Sequence, residues 1–349
     1  MPYLAARVPP PWEVTHIDEE VEEIDWNLEA DVIGLTFHTP SALHAYEIAA
    51  RFRSSGACVV MGGPHVTLLP EEARQHADVI FIGEAEELWE QFLSGFEAGS
   101  YLQTYQRMDA PSLEGFPQSR KDLFHRRDHT SGVLFATRGC PSQCEFCAIA
   151  VMYPHKHRTR PIPEVAAEFA SFRRKVIIFW DDNIAGDLTY ARALFQAITP
   201  YRKWWSSQAS IHAYGIAVQV GIVFGFDHDT PAIFTETLDF LEEAGVQNGT
   251  FNILTPFPGT PLFEKLDRQG RILTRDWSKY NSRTDVVYQP KEMSSTELLA
   301  GFQYANQRFY SLTSIARRLS CSPVQLWWTL PLNLAYGYHW WREKGRSAI

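Results

Sequence analysis

Asp31-Val-Ile-Gly-Leu-Thr-Phe37, then Ser41–Arg53, then Cys58-Val-Val-Met61 is the stretch that decides the fold class. The two outer runs are short, rich in Val and Ile, and free of strict polar alternation. Parallel strands buried on both faces read this way. The middle segment is amphipathic at helical spacing, with Leu43, Ile48 and Phe52 among its apolar positions. Strand, helix and strand at this spacing predict a right-handed βαβ unit, and several such units predict a doubly wound parallel α/β sheet. Working outward, Trp12–Ile17 and Asp78–Ile82 are expected as further strands, and Pro70–His76 and Ala85–Phe96 as further helices.

The rhythm stops over Tyr101–Arg127, which Pro111, Gly115 and Pro117 punctuate and a basic cluster from Arg120 to Arg127 closes. This stretch is expected as a linker. A second alternating block follows, with strands at Val133–Thr137, Val176–Trp180, Trp204–Ser210, Ala217–Phe226 and Gly249–Leu254. Helices fit between them at Ile162–Arg174, Leu188–Thr199 and Ala232–Ala244, and the tail from Ser294 is helical. The expected division is a Rossmann-like domain over residues 1–100, a linker over 101–131, a β/α block over 132–290 and a helical region over 291–349.

The 349 residues carry 32 basic and 41 acidic side chains, a balance of −9 that argues against a chain built to grip nucleic-acid phosphates. Hydrophobic residues make up 45% and charged residues 21%, which excludes a disordered chain. Five cysteines are too few for a disulfide scaffold. Met1–Pro10 has no signal-peptide pattern, so a reducing cytoplasm is expected. Val324–Trp341 is aromatic-rich but contains Pro331, Asn333 and His339, so a peripheral membrane contact or a buried helix is expected rather than a span.

Three of the cysteines fall within eight residues, Cys140-Pro-Ser-Gln-Cys144-Glu-Phe-Cys147, just after a strand ending in Thr137-Arg138-Gly139. Thiolates this close on one loop suit a soft metal or an iron–sulfur cluster. Three of them leave one iron of a four-iron cluster open to an outside ligand. A structural zinc site is the competing reading. It wants four ligands, and His155 and His157 are the nearest candidates for the fourth.

Cys-x-x-x-Cys-x-aromatic-Cys after the first strand of a β/α block resembles the signature of the radical S-adenosylmethionine (SAM) superfamily, with Phe146 in the aromatic slot. The resemblance implies that Cys140, Cys144 and Cys147 bind a 4Fe-4S cluster whose open iron chelates SAM. It further implies reductive cleavage of SAM to a 5′-deoxyadenosyl radical, a TIM-like barrel, and an electron donor such as flavodoxin or ferredoxin. Asp181, Asp182 and Asn183 end the second barrel strand, where the superfamily holds SAM's amino group. Gly221 and Gly225 lie on the strand that resembles the adenine-contacting one, and Pro256–Pro261 resembles a turn of cobalamin-type members. Gly62-Gly63-Pro64-His65 and Gly83-Glu84-Ala85-Glu86 both follow strands, at the end where such sheets bind ligands. Placed before a radical SAM barrel, Gly62, Gly63, His65, Gly83 and Glu84 resemble contacts of the cobalamin (B12)-binding domain.

Two departures from the family pattern are visible. The chain opens at what resembles the end of the domain's first helix, as if truncated there. The strand with a Glu-Ser pair, expected between Ser210 and Tyr214, is missing. Only Ile211–Gly215 separates two expected strands, and five residues cannot make the crossover that neighbouring parallel strands need. The barrel is therefore expected to be partial and open there. The expected function is a B12-type radical SAM enzyme that methylates or otherwise modifies a small-molecule or lipid-like substrate. The competing readings are an impaired remnant that still binds a cluster, and an RNA-modifying methylthiotransferase. The acidic balance counts against the last.

Overall fold

The computed structural model describes residues 1–107, 110–123, 131–153, 156–208, 219–320 and 329–338. Its first sheet is wholly parallel: β1 (Val32–Thr36), β2 (Cys58–Gly62), β3 (Val79–Ile82) and β4 (Thr104–Gln106) lie side by side in chain order. Helix α1 (Pro2–Ala5) precedes it. Helix α2 (Ala42–Ser54) joins β1 to β2, α3 (Pro64–Leu68) and α4 (Pro70–Ala73) join β2 to β3, and α5 (Trp89–Glu97) joins β3 to β4. The lack of alternation in β2 has its reason here, since Cys58, Val59, Val60 and Met61 are all buried. Cys58 and Val60 face one way with Val79 and Phe81, against Trp89, Phe92 and Leu93 of α5. Val59 and Met61 point the other way and are fully covered too. Burying each such side chain contributes about 1.5–3 kcal/mol.

Four expectations are corrected in this region. Trp12–Ile17 forms no strand. A strand persists only where a neighbour supplies ladder hydrogen bonds. Trp12 instead packs on Phe96 and donates its indole N–H to Glu97 at 2.6 Å. Strand β4 lies inside the expected linker, where three residues are too few to show a period; Tyr105 holds it by stacking on Phe81 at 4.9 Å. The Pro70–His76 helix ends at Ala73. Leu43 is 45% exposed, whereas Ile48 and Phe52 are buried as the helical pattern requires.

The second block begins with β5 (Gly132–Leu134) and β6 (Thr137–Arg138), so the expected Val133–Thr137 strand is broken in two. Helix α6 (Ala148–Met152) and β7 (Arg158–Thr159) follow, and β7 pairs antiparallel with β6. Helix α7 (Ile162–Ser171), β8 (Val176–Phe179), α8 (Leu188–Ile198) and β9 (Trp204–Ser207) complete this part. Strands β5, β8 and β9 form a parallel sheet in that order. Ile177 and Phe179 of β8 pack on Val165 and Phe169 of α7 and Leu194 and Ile198 of α8. Asp187 caps α8, accepting from the N–H groups of Thr189 and Tyr190. Below the sheet, Arg160 and Glu168 form a fully buried ion pair at 2.7 Å. Glu168 also accepts from Tyr3 Oη and the Ser119 N–H, so α1 and the linker converge on it.

The chain divides into two compact units, Met1–Ser210 with Pro258–Thr260, and Ile211–Phe257 with Pro261–Ile349. The second contains the parallel pair β10 (Gln219–Phe224) and β11 (Asn248–Ile253), with α9 (Ile233–Glu243), α10 (Pro261–Arg268), α11 (Ser295–Phe309) and α12 (Leu312–Ser320). Ser294 and Glu297 form a reciprocal capping box on α11. Strand β9 pairs with β8 and β10 with β11, in separate ladders, as the short link between them demands. The link itself, Ile211–Gly215, lies outside the described residues, as do Phe124–Arg127 of the basic cluster, His155, and parts of Val324–Trp341. Residues 329–338 are helical. Among the described residues no helix is long and apolar enough to cross a membrane.

Candidate functional site

The cysteine loop leaves from the end of the β5–β6 strand and returns through β7. The break in that strand has a local cause. The Trp180 N–H closes the ladder on the Leu134 carbonyl at 2.8 Å. Beyond it, the Asp181 side chain takes over: Oδ1 accepts from the Ala136 N–H at 3.0 Å, the Thr137 N–H, and Thr137 Oγ1 at 2.7 Å. A carboxylate thus substitutes for a strand neighbour. Asp181 is 3% exposed, and burial pushes its carboxyl up to about 6 even though these hydrogen bonds pull the other way. Its Oδ2 is buried without a partner. Asp182 Oδ2 accepts from the Gly139 N–H at 2.8 Å, and burial raises this carboxyl as well.

Gly139 has φ +82°, and a Cβ there would collide with the Lys156 carbonyl oxygen. The two arms of the loop therefore approach more closely than any side chain allows. Cys140 follows, half-buried, with the Asn183 side-chain amide donating to its sulfur at 3.5 Å. Cys144 is exposed. Cys147 is half-buried at the start of α6; burial raises its thiol, while the N–H groups of Ile149 and Ala150 act in the opposite direction. Phe146 is half-buried between the last two thiols. His157 places Nε2 3.1 Å from the Asn183 carbonyl oxygen.

An iron–sulfur cluster fits this donor set. All three donors are thiols on one loop, two of the sulfurs have N–H donors, and Gly139 opens the hairpin where the first thiol emerges. Among the described residues no three His, Cys, Asp or Glu side chains converge on one point where a single ion would sit.

The Gly83–Glu86 turn, at the end of β3, is tied to this hairpin by charge. Arg158 pairs with Glu84, with one contact at 3.1 Å, and Arg138 pairs with Glu86 and stands 3.4 Å from Glu84. All four side chains are largely covered, at 9–17% exposure. The sequence offered no sign of this network beyond Arg138 standing next to the motif, because its partners are over 50 residues away. Glu84, expected as a cobalamin contact, is engaged by the two arginines. Gly83 has φ +81° and no atom within 4 Å of where a Cβ would lie, so the fold does not crowd this turn. Gly62 leaves similar room, with Phe81 Cβ nearest at 3.6 Å.

His65 is reassigned. It is fully buried, with Nε2 3.0 Å from Tyr46 Oη and Nδ1 3.2 Å from Thr39 Oγ1. Both ring nitrogens serve the core, and burial lowers its pKa. Gly63 is equally structural, with φ +95° and Thr36 Oγ1 2.6 Å from a would-be Cβ. In the second unit, Gly225 has φ +110°, and its carbonyl accepts from Tyr288 Oη; a Cβ would also meet Leu298 at 2.8 Å. Protein packing thus crowds that glycine. Gly221 has only Thr250 Oγ1, at 3.9 Å, near its missing Cβ, so nothing in the fold crowds that position.

The parallel N-terminal sheet and the three-thiol loop are thus joined by the ion pairs at the end of β3. The model of the B12-binding domain matches residues 3–93. The chain is 25% identical to bacteriochlorophyllide d C-12(1)-methyltransferase of Chlorobaculum tepidum, over 91% of this chain and 83% of that protein. It is 24% identical to the C-8(2)-methyltransferase of the same organism, over 81% and 79%. The solved structure of the radical SAM methyltransferase TsrM from Kitasatospora setae, with cobalamin and a 4Fe-4S cluster bound, superposes with a TM-score of 0.58. That match is at 13% identity and covers 81% of this chain and 74% of that one. The chain thus carries a B12-binding domain over residues 3–93, is similar over most of its length to the two methyltransferases, and shares its fold with TsrM.

Proposed function

We propose that this protein is a cobalamin-dependent radical SAM methyltransferase acting on a small, largely apolar ring molecule of the bacteriochlorophyllide kind. The observation that carries the reading is the three-thiol loop fastened by Arg138 and Arg158 to the open strand end at Gly83. In this reading Cys140, Cys144 and Cys147 hold the 4Fe-4S cluster, Phe146 and Asp182 border the SAM site, and Gly62 and Gly83 admit the corrinoid. When bound, the cluster and SAM supply a 5′-deoxyadenosyl radical and the corrinoid carries a methyl group. The protein's part is to position these groups and exclude water. Arg138 and Arg158 fix the distance between the two strand ends, and the covered hairpin base shields the loop's inner side. The substrate class follows the relatives, whose names specify bacteriochlorophyllides. An electron donor of the flavodoxin or ferredoxin type, and contact of the C-terminal aromatic stretch with a membrane surface, belong to the same proposal.

Anaerobic reconstitution followed by a reductive SAM-cleavage assay tests it. The wild-type chain is expected to hold four irons and four sulfides and to release 5′-deoxyadenosine, and Cys144→Ala to lose both. Stoichiometric iron and sulfide in Cys144→Ala would reject the cluster assignment. A loaded wild-type chain that leaves SAM intact would reject the catalytic one.

A further inference from the structure

Three consecutive side chains after β8 meet three successive points of the chain that leads into the cysteine loop. Asp181 binds the backbone of Ala136 and Thr137, Asp182 binds the Gly139 N–H, and Asn183 binds the Cys140 sulfur. The contacts advance in step, so the turn runs alongside the strand exit as a short side-chain ladder. Its far end is seated as tightly. A Cβ on Gly186 would lie 2.8 Å from the His157 ring and 3.0 Å from Pro141 Cδ, so the turn fits between the outgoing and returning arms of the loop. His157 fixes the Asn183 carbonyl from the returning arm. Asn183 is 4% exposed, which places its amide in a region where water does not compete for the sulfur.

We infer that the Asp181–Asn183 turn is the template that sets Cys140, and that Asn183 is a positioning residue whose amide raises the reduction potential of the cluster bound there. The inference rests on the cluster reading above. It gives this turn a job besides bordering the SAM site: Oδ1 of Asp181 and Oδ2 of Asp182 hold backbone N–H groups of the strand exit. A donor to a thiolate ligand withdraws charge from sulfur and so favours the more negative, reduced cluster. Removing the donor shifts the midpoint potential to more negative values, and replacing it with a carboxylate shifts it further.

The experiment is a potentiometric titration of the reconstituted full-length chain, followed by electron paramagnetic resonance, for wild type, Asn183→Leu and Asn183→Asp. Iron and sulfide are counted on the same samples. The expected order of midpoint potentials is wild type highest, Leu lower, Asp lowest, with SAM absent throughout. A wild-type chain that takes up no cluster defeats the proposed function itself. A loaded Asn183→Leu chain with an unshifted potential defeats only this inference. Should Asn183→Leu keep the wild-type urea midpoint yet fail to retain iron, the positioning role stands, because the fold survives and Cys140 is the part lost. Should it lose iron because the whole chain unfolds at lower urea, Asn183 is part of the core and the tuning role is overturned.

Discussion

The turns after β2 and β3 read alike in sequence, as Gly-Gly-Pro-His and Gly-Glu-Ala-Glu, and both contain a glycine with positive φ, +95° at Gly63 and +81° at Gly83. They do opposite things. The first is closed: Gly63 presses on Thr36 and Phe37, and His65 is spent on Tyr46 and Thr39. The second is open above its glycine and tied by its carboxylates to the cysteine hairpin. Positive φ alone therefore says only that a turn is tight. What lies beyond the absent Cβ separates a glycine kept for packing from one that leaves a ligand room to approach.

Gly63→Ala is the strongest way to break this contrast. Gly63 has φ +95° and ψ −173°, a region nearly closed to side chains, and the new Cβ would lie 2.6 Å from Thr36 Oγ1 and 3.2 Å from the Phe37 backbone. Strain and overpacking together are expected to cost about 3 kcal/mol or more. A urea or thermal unfolding curve reads this directly. A loss below about 0.5 kcal/mol, the range of ordinary surface changes, would show that the turn relaxes and is not closed.

Glu84→Gln probes the tie that marks the second turn. It leaves Arg138 paired with Glu86 but takes the carboxylate from Arg158 in a largely covered site, and losing one carboxylate from such a group is expected to cost about 1–3 kcal/mol. A double-mutant cycle with Arg158→Met separates the pair from its surroundings. A coupling near zero would make the network a surface ornament and loosen the argument that it spaces the two strand ends. The same variant is expected to keep its cluster, since Glu84 pairs with the two arginines rather than with a thiol.

These contrasts also mark what the sequence reveals and what it hides. Spacing alone placed Cys140, Cys144 and Cys147 on one loop, because three thiols within eight residues leave little conformational choice. The apolar runs gave β1, β2 and β3 nearly to the residue; burial on both faces explains the signal in β2 and β3, whereas β1 is apolar but only partly covered. Trp12–Ile17 carries a comparable pattern but forms no strand, since a strand also needs a neighbour, which no local pattern encodes. Strand β4 was lost for the converse reason, being three residues held mainly by Tyr105. The ion pairs linking Glu84 and Glu86 to Arg138 and Arg158 join residues far apart in the chain, and charge carries no period to announce them. His65 follows two glycines at a strand end, where the family resemblance places a cobalamin contact. Only the fold reveals Tyr46, Thr39 and Glu72 around it.

Gly83→Ala has the smallest expected effect on the fold and is the sharpest test of function. An alanine there has to hold φ near +81°, which costs about 1–2 kcal/mol, but it meets no atom within 4 Å and so adds no clash. Compared with Gly63→Ala, most of the stability loss disappears. If the open space above the strand end admits a corrinoid, however, the methyl group occupies part of that space. Hydroxocobalamin affinity is then expected to fall by about tenfold or more, the equivalent of about 1.4 kcal/mol lost from binding. Absorbance titration of the two variants side by side reads the difference. Gly83→Ala should bind weakly while losing less stability than Gly63→Ala, whereas any Gly63→Ala chain that remains folded should bind as the wild type does, because its Cβ points into protein. Equal binding by wild type and Gly83→Ala would mean that this glycine serves the turn alone, and the openness beside it would no longer support a corrinoid site.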